Sequence, residues 1–318
     1  MIYNLNIDMN ARRLFAEINN ELYERLRKID DTDEFFEFLV KPLKNTIRIN
    51  TLKVRLEYAI ERLRNYIIGR VPWCKEGFYF SISEFGGLPE YKLGIIFSQE
   101  AASMIPPLIM ELRPGMTVLD IAAAPGAKTT QIAQYMENNG CIIANDINPI
   151  RANILISNIQ RCGVIIAAVT VKDGRFFRKL RNKFDSVLVD AQCSNIGMIR
   201  KSYKHAKLWR LKSVYSLSKL QKDLLASGIY AVKPGGVIVY STCTVDPIEN
   251  EEVVDYALSN FEVKIEKVEG LPIKTSGAIL EFEGKKYSEE VRKCLRIHPQ
   301  NNDTEAFFIA KLRKLESY

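Results

Sequence analysis

With 318 residues and a mass of 36.3 kDa, the chain is long enough for about two domains of roughly 150 residues each. A hydrophobic fraction of 47% excludes a disordered tail, a collagen-like repeat and a disulfide-stapled miniprotein. The 45 Lys and Arg against 38 Asp and Glu, a net charge of +7, permit a nucleic-acid partner without requiring one.

The first fifteen residues contain no apolar stretch of the signal-peptide kind. No run of about 18 apolar residues could span a bilayer, so a cytoplasmic protein without membrane contact is expected. Apolar positions at helical spacing over 9–40 (Leu14, Phe15, Ile18, Leu22, Leu26, then Phe35, Phe36, Phe38 and Leu39) predict two or three short helices. Residues 46–54 read as a strand, 55–67 as a helix and 77–82 as a strand. Together they form a small α+β module ending near Phe97. With 15 basic and 14 acidic residues, the 1–97 segment is nearly neutral.

Regular alternation follows from residue 98. The pattern predicts a helix over 98–112, strand 117–122, helix 128–139, strand 141–147, helix 149–163 and strand 165–171. A basic stretch then precedes strand 186–191, helix 213–232 and strand 236–243. Short Val/Ile-rich strands between helices indicate a parallel sheet covered on both faces. The second domain, 98–318, is therefore expected to be a doubly wound, Rossmann-like α/β fold.

Such sheets bind ligands beyond the carboxyl ends of their strands, and the polar residues of this chain collect there. Asp120 and the loop 122–128 follow the first strand, Asp146 the second and Asp173 the third. Asp190 and Cys193 follow the fourth, Thr242 and Cys243 the fifth. An Asp at one strand end often only caps the next helix; four in register point to a ligand. The loop Ala122-Ala123-Ala124-Pro125-Gly126-Ala127-Lys128 lacks GxGxxG and suits a pyrophosphate poorly, which disfavours a nucleotide-dependent oxidoreductase. A carboxylate-bearing cofactor such as S-adenosylmethionine (SAM) fits it better. Asp146 would then accept from the ribose diol and Asp173 from the adenine amino group.

Six cysteines lie at 74, 141, 162, 193, 243 and 294, none at zinc-ligand spacing, so no metal is expected. Each could be a packed core thiol. Cys193 and Cys243, however, leave their strands at the ligand-binding edge, where a thiolate can attack.

These segments are similar to the Nop2/Sun (RsmB-like) family of RNA (cytosine-5-)-methyltransferases, archaeal tRNA type. The resemblance runs from 48–53 (RINTLK) through 97–108, 118–133, 144–155, 187–194, 220–225, 233–254 and 296–312. The YSTCT…ENEE block and the APGAKT loop are its most diagnostic parts. It implies that SAM is the cofactor, held by Ala122 to Lys128, Asp146, Arg151, Asp173 and Asp190. It implies Cys243 as the nucleophile at cytosine carbon 6, with Cys193 assisting release of the covalent product. Asp190 would hydrogen-bond the ring edge, and Lys128 would sit near the reaction centre. Thiolate addition makes carbon 5 enamine-like; loss of its proton and of the thiolate then restores aromaticity. The target cytosine must be flipped out or unpaired.

Two departures stand out. Gln192-Cys193-Ser194-Asn195 replaces the family's Pro-Cys-Ser-Gly, so the loop carrying Cys193 lacks a fixed dihedral. Ala127 replaces the second loop glycine. An active enzyme is expected, with a weakened RNA-binding relative as the alternative. Residues 172–222 carry 14 Lys and Arg against three acids, interleaved with Tyr203, Trp209 and Tyr215. Such a run can be a solvated helix face, but beside the Asp190–Cys193 loop it reads as a phosphate-binding and base-stacking surface. Arg200, Lys201, Lys204, Lys207, Trp209 and Arg210 are expected RNA contacts, with Arg48, Asn50 and Lys53 in the RRM-like module. The substrate expected is tRNA, with rRNA as the alternative, and the chain is expected to act as a monomer.

Overall fold

The computed structural model describes residues 10–315; the outer ends of the two expected domains, 1–9 and 316–318, lie outside the described residues. Three short helices come first: α1 (Ala11–Ile18), α2 (Asn20–Ile29) and α3 (Asp33–Val40). Each begins on a polar side chain that accepts a first-turn amide, Asn10 from Arg12, Asn19 from Leu22 and Thr32 from Phe35.

A four-stranded antiparallel sheet follows, built from β1 (Thr46–Ile49), β2 (Ile67–Arg70), β3 (Gly77–Phe80) and β4 (Ile96–Ser98) in the order β2-β3-β1-β4. Helix α4 (Leu56–Leu63) packs on one face, and the single turn α5 (Pro89–Lys92) leads into β4. Three expected boundaries are corrected here. The strand over 46–54 stops at Ile49, because the Asn50 side-chain oxygen accepts the Leu52 amide and turns the chain. The helix over 55–67 ends at Leu63, and Ile67–Arg70 instead pair with β3. The helix over 98–112 shrinks to a 3-10 turn, Ala102–Met104, and one helical turn, α6 (Ile105–Leu108). Pro106 and Pro107 have no amide with which to extend it.

The second sheet begins with β5 (Thr117–Asp120), α7 (Ala127–Tyr135), β6 (Cys141–Asn145), α8 (Pro149–Arg161) and β7 (Ala167–Thr170). It returns through β8 (Phe184–Asp190), α9 (Lys204–Leu208), α10 (Leu211–Ala231), β9 (Val232–Thr242) and α11 (Glu251–Asn260). The remaining elements are β10 (Val263–Ile265), the hairpin β11 (Glu281–Phe282) and β12 (Lys285–Lys286), β13 (Leu295–Ile297), α12 (Pro299–Asn302) and β14 (Phe307–Lys314). The strand order is β10-β14-β9-β8-β5-β6-β7, with β13 beside β14. Strands β9, β8, β5, β6 and β7 are parallel; β14 runs antiparallel to β9, and β10 and β13 antiparallel to β14. The expected parallel sheet is thus the larger part of a mixed one. Because β5 neighbours both β6 and β8, the winding reverses there and opens a crevice at their carboxyl ends.

Strand alternation divides the core into two layers. Val187, Val189, Ile238, Tyr240, Phe308 and Ala310 face α10, α11 and the three N-terminal helices, which bury Phe15, Leu22, Leu26, Phe35 and Phe36 against that face. Leu188, Val237, Val239, Phe307 and Ile309 face the other way, toward α7 and α8. The same alternation operates in the N-terminal sheet. Ile47 and Ile49 enter a small core with α4, which turns Arg48 between them toward α7.

Candidate active site

The crevice gathers the strand-end residues. Asp190, the last residue of β8, pairs in register with Ser241 of β9, whose hydroxyl donates to Asp190 Oδ1 at 2.7 Å. Lys128, in the first turn of α7, donates to Asp190 Oδ2 at 2.7 Å and lies 5.4 Å from the Phe307 ring centre. Burial opposes the Lys128 charge, but Asp190 more than offsets it, and the ammonium titrates above an ordinary lysine.

Cys193 and Cys243 follow adjacent strands, and their sulfurs are 3.0 Å apart as free thiols. Asn195 Oδ1 lies 3.2 Å from the Cys243 sulfur and 3.8 Å from that of Cys193. Asn195 has φ 59°, a left-handed conformation that Asn tolerates better than most residues. The hydrogen bond to Cys243, together with burial, pushes the Cys193 thiol well above its usual range. Cys193 is buried, whereas Cys243 is half-buried at the crevice.

The loop after β5 is held from outside. Arg151 donates to the Ala124 carbonyl at 2.5 Å, Asn158 to that of Pro125 at 2.8 Å, and the Ala123 amide to Asn145 at 2.7 Å. Gly126 has φ 106°, and a Cβ there would come within 2.9 Å of Leu155, so only glycine fits. Ala122 and Ala127 complete the small-residue wall. Asp120 is fully buried; Thr129 donates to its Oδ2 at 2.7 Å, while Oδ1 has no protein partner. Burial raises its pKa to about 7. Asp146, at the tip of β6, accepts the Asn148 amide at 2.9 Å and lies 3.5 Å from Arg151. Beside it, Ile147 and Ile150 are 64% and 72% exposed, an uncovered apolar shelf. Asp173 follows Lys172, whose carbonyl accepts from Asn145 at the end of β6, and itself accepts from Arg175, whose guanidinium lowers its pKa.

Several expected RNA contacts are turned inward. Arg48 is fully buried and donates to Gln99, Thr130, Gln134 and the Ala127 carbonyl, bracing the N-terminal sheet against α7. Asn50 is buried and donates to the carbonyls of Gly94 and Cys162. Arg200 donates to the carbonyls of Lys41, Pro42 and Thr304 and to Asp303. Trp209 is buried between α9 and α10, where its carbonyl accepts from Asn19. None of these four offers its side chain to a ligand surface. Lys53, Lys201, Lys204, Lys207 and Arg210 are exposed. Among the described residues, no group of three or more His, Cys, Asp and Glu is placed to hold a metal ion, and no helix is long and apolar enough to cross a membrane.

A family model described as 16S rRNA methyltransferase RsmB/F matches residues 107–313, and one described as the N-terminal domain of 16S rRNA methyltransferase RsmF matches residues 16–101. The chain belongs to the RsmB/F methyltransferase family. A tRNA (cytosine(49)-C(5))-methyltransferase of Pyrococcus abyssi (strain GE5 / Orsay) is 56% identical over 310 residues, covering 96% of this chain and 99% of that protein. Ribosomal RNA small subunit methyltransferase F of Vibrio atlanticus (strain LGP32) is 40% identical over 298 residues, covering 90% of this chain and 61% of that protein. The chain thus spans about three-fifths of that bacterial relative. The crystal structure of a methyltransferase homolog protein from Pyrococcus horikoshii has a TM-score of 0.85 and 34% identity, covering 98% of this chain and all of that one.

In this RsmB/F-family enzyme, other groups at the crevice escaped sequence reasoning. A cleft of about 760 Å³ between the N-terminal sheet and the segment 199–203 contains Glu100 and Lys201. Lys201 donates to Glu305 at 3.2 Å, and Glu100 accepts the Glu305 amide at 3.2 Å. Desolvation and the neighbouring Glu305 push Glu100 up to about 8. These three residues come from distant parts of the chain, and no local spacing connects them. Glu249 had a signal, the ENEE block, but no role.

Proposed function

We propose that this chain transfers a methyl group from SAM to carbon 5 of cytosine in tRNA, through a covalent bond between Cys243 and carbon 6. The observation that carries this reading is the convergence of Cys243, Cys193, Asp190 and Lys128 at one crevice. The tRNA assignment is supported by the Pyrococcus abyssi relative, which is matched over almost its full length.

The crevice fits the cofactor. The first-turn amides of α7 and the orphan Asp120 oxygen suit the charged amino-acid end. Asp146 suits the ribose diol, the Ile147–Ile150 shelf the adenine, and Asp173 and Arg151 lie at its rim. Bound there, SAM supplies the electrophilic methyl group that carbon 5 takes up. The chain does the rest. Asp190, oriented by Ser241 and Lys128, holds the ring edge of the cytosine. Cys243 adds to carbon 6, and Cys193, its sulfur 3.0 Å away, stands against the same sulfur for its release. Exposed Lys53, Lys201, Lys204, Lys207 and Arg210 would hold phosphates of an RNA whose target base is unstacked. We place this monomeric enzyme in the cytoplasm, with its RNA. At Gln192 the carbonyl accepts from Gln221 at 2.9 Å, a main-chain tie on the loop that carries Cys193.

The test uses labelled SAM with unmodified tRNA and 16S rRNA transcripts, followed by mapping of 5-methylcytosine. Incorporation into tRNA is expected; incorporation into rRNA alone would transfer the reading to the ribosomal substrate, and none into either would overturn it. Cys243→Ala should abolish transfer, whereas Cys193→Ala should accumulate a denaturant-stable protein–RNA adduct. The reverse pattern would make Cys193 the nucleophile.

A further inference from the structure

Two loops carry the cysteines, one after β8 and one after β9, and nothing covalent keeps them together. The Glu249 carboxylate spans the gap. Its Oε1 accepts the Ser194 amide and the Gln221 side-chain amide, each at 2.9 Å, and its Oε2 accepts the Ser194 hydroxyl at 2.5 Å. The Ser194 hydroxyl is also 3.0 Å from that of Thr244. Glu249 is fully buried and is itself fixed to the β9 side: its carbonyl accepts the Tyr240 hydroxyl at 2.5 Å, and its amide donates to Asp246 at 3.1 Å. Gln221, from α10, donates also to the Gln192 carbonyl. Cys193 therefore sits in the middle of a clamp, with its preceding carbonyl and its following amide and hydroxyl all held.

We propose that Glu249 is a positioning residue for the two thiols: by gripping Ser194 it keeps the Cys193 sulfur in contact with Cys243. The inference rests on the function proposed above. It goes further in assigning to a buried carboxylate, outside the reacting groups, the geometry of the release step. It also explains how the chain accommodates Gln192. A proline would stiffen this loop from within; here the stiffness comes from Glu249 and Gln221.

The clamp acts on Cys193, whereas Cys243 directly follows Thr242, the residue of β9 paired with Phe308 of β14. Loosening the clamp should therefore spare attack at carbon 6 and impair release. In Glu249→Gln, turnover should fall at least tenfold and the denaturant-stable RNA adduct should rise at least tenfold over the parent. KM for tRNA and the Kd for SAM should stay within twofold. Ser194→Ala, which removes the hydroxyl link at a half-buried position and leaves Glu249 in place, should move both quantities the same way by a smaller factor. Parental turnover without adduct in both variants would overturn the proposal. So would loss of turnover without adduct and with weakened SAM binding, the signature of a merely structural role.

A second measurement needs no RNA. Diamide takes one hydrogen from each of two adjacent thiols, becoming a hydrazine as they form a disulfide. Peptide mapping would follow the Cys193–Cys243 disulfide, expected to form at least tenfold more slowly in Glu249→Gln; an unchanged rate would overturn the proposal. If Cys193→Ala traps no adduct, the reading of the reaction has failed, and the diamide rate still decides the role of Glu249.

Discussion

Asp120 shows how one buried group couples the site to stability. Burial keeps its carboxyl protonated up to about pH 7, whereas an unfolded Asp releases its proton near pH 4. Across that window the native state binds more protons than the unfolded chain, so this group's contribution to stability falls as pH rises. Asp120→Asn keeps the shape without the titration. The ligand-free variant should gain on the parent from about pH 4.5 to about pH 7.5, by at most about 4 kcal/mol. Urea unfolding at the two ends checks this; parallel pH dependences would refute it. Asp120, Asp190, Lys128 and Cys243 were legible in the sequence because each ends a strand or opens a helix, where position along the chain dictates position in space. Glu249 was not, since its partner Ser194 lies 55 residues away on another loop.

The helices that precede the first sheet illustrate a different dependence. Their periodicity and caps are written locally, but their packing partner is not. Helix α2 sends Arg25 into the loop after β9, where it donates to both oxygens of Asp246 at 2.7 Å, with both residues buried. That loop also bears Cys243. Arg25→Ala leaves a buried carboxylate without its cation and should cost about 3–5 kcal/mol of unfolding free energy. Equilibrium denaturation of the full chain measures it, and a loss below about 1 kcal/mol would mean that the pair is not closed in solution. The helix expected over 98–112 failed for a local reason, two consecutive prolines. The unexpected strand β2 arose for a tertiary one, an open edge on β3.

Across the molecule, the basic excess divides into two populations. Arg48 and Arg200 are internal struts, whereas Lys53, Lys204, Lys207 and Arg210 face solvent. They should separate by experiment. Lys207→Met should leave the unfolding free energy unchanged and lower the slope of log affinity for tRNA against log salt by about 0.7–0.9. Arg48→Met should lower stability by about 3 kcal/mol, because Gln99, Thr130 and Gln134 lose a buried partner, and leave the salt slope as it was. A changed slope in Arg48→Met would return that residue to the RNA surface.

Periodicity in the chain specified the alternating α/β domain, the strand-end aspartates, the small-residue loop and the two exceptional cysteines, because strand and helix geometry convert spacing directly into facing. It could not specify which charges face water. Arg48 points inward because Ile47 and Ile49 claim the other side of β1, and Trp209 is covered by helices written nearly 200 residues earlier. Nor could it bring Glu249 to Ser194 or Glu305 to Glu100. Those contacts depend on which strand lies beside which, and the pairing of β14 and β8 with β9 follows from burial of the whole sheet rather than from any local run of residues.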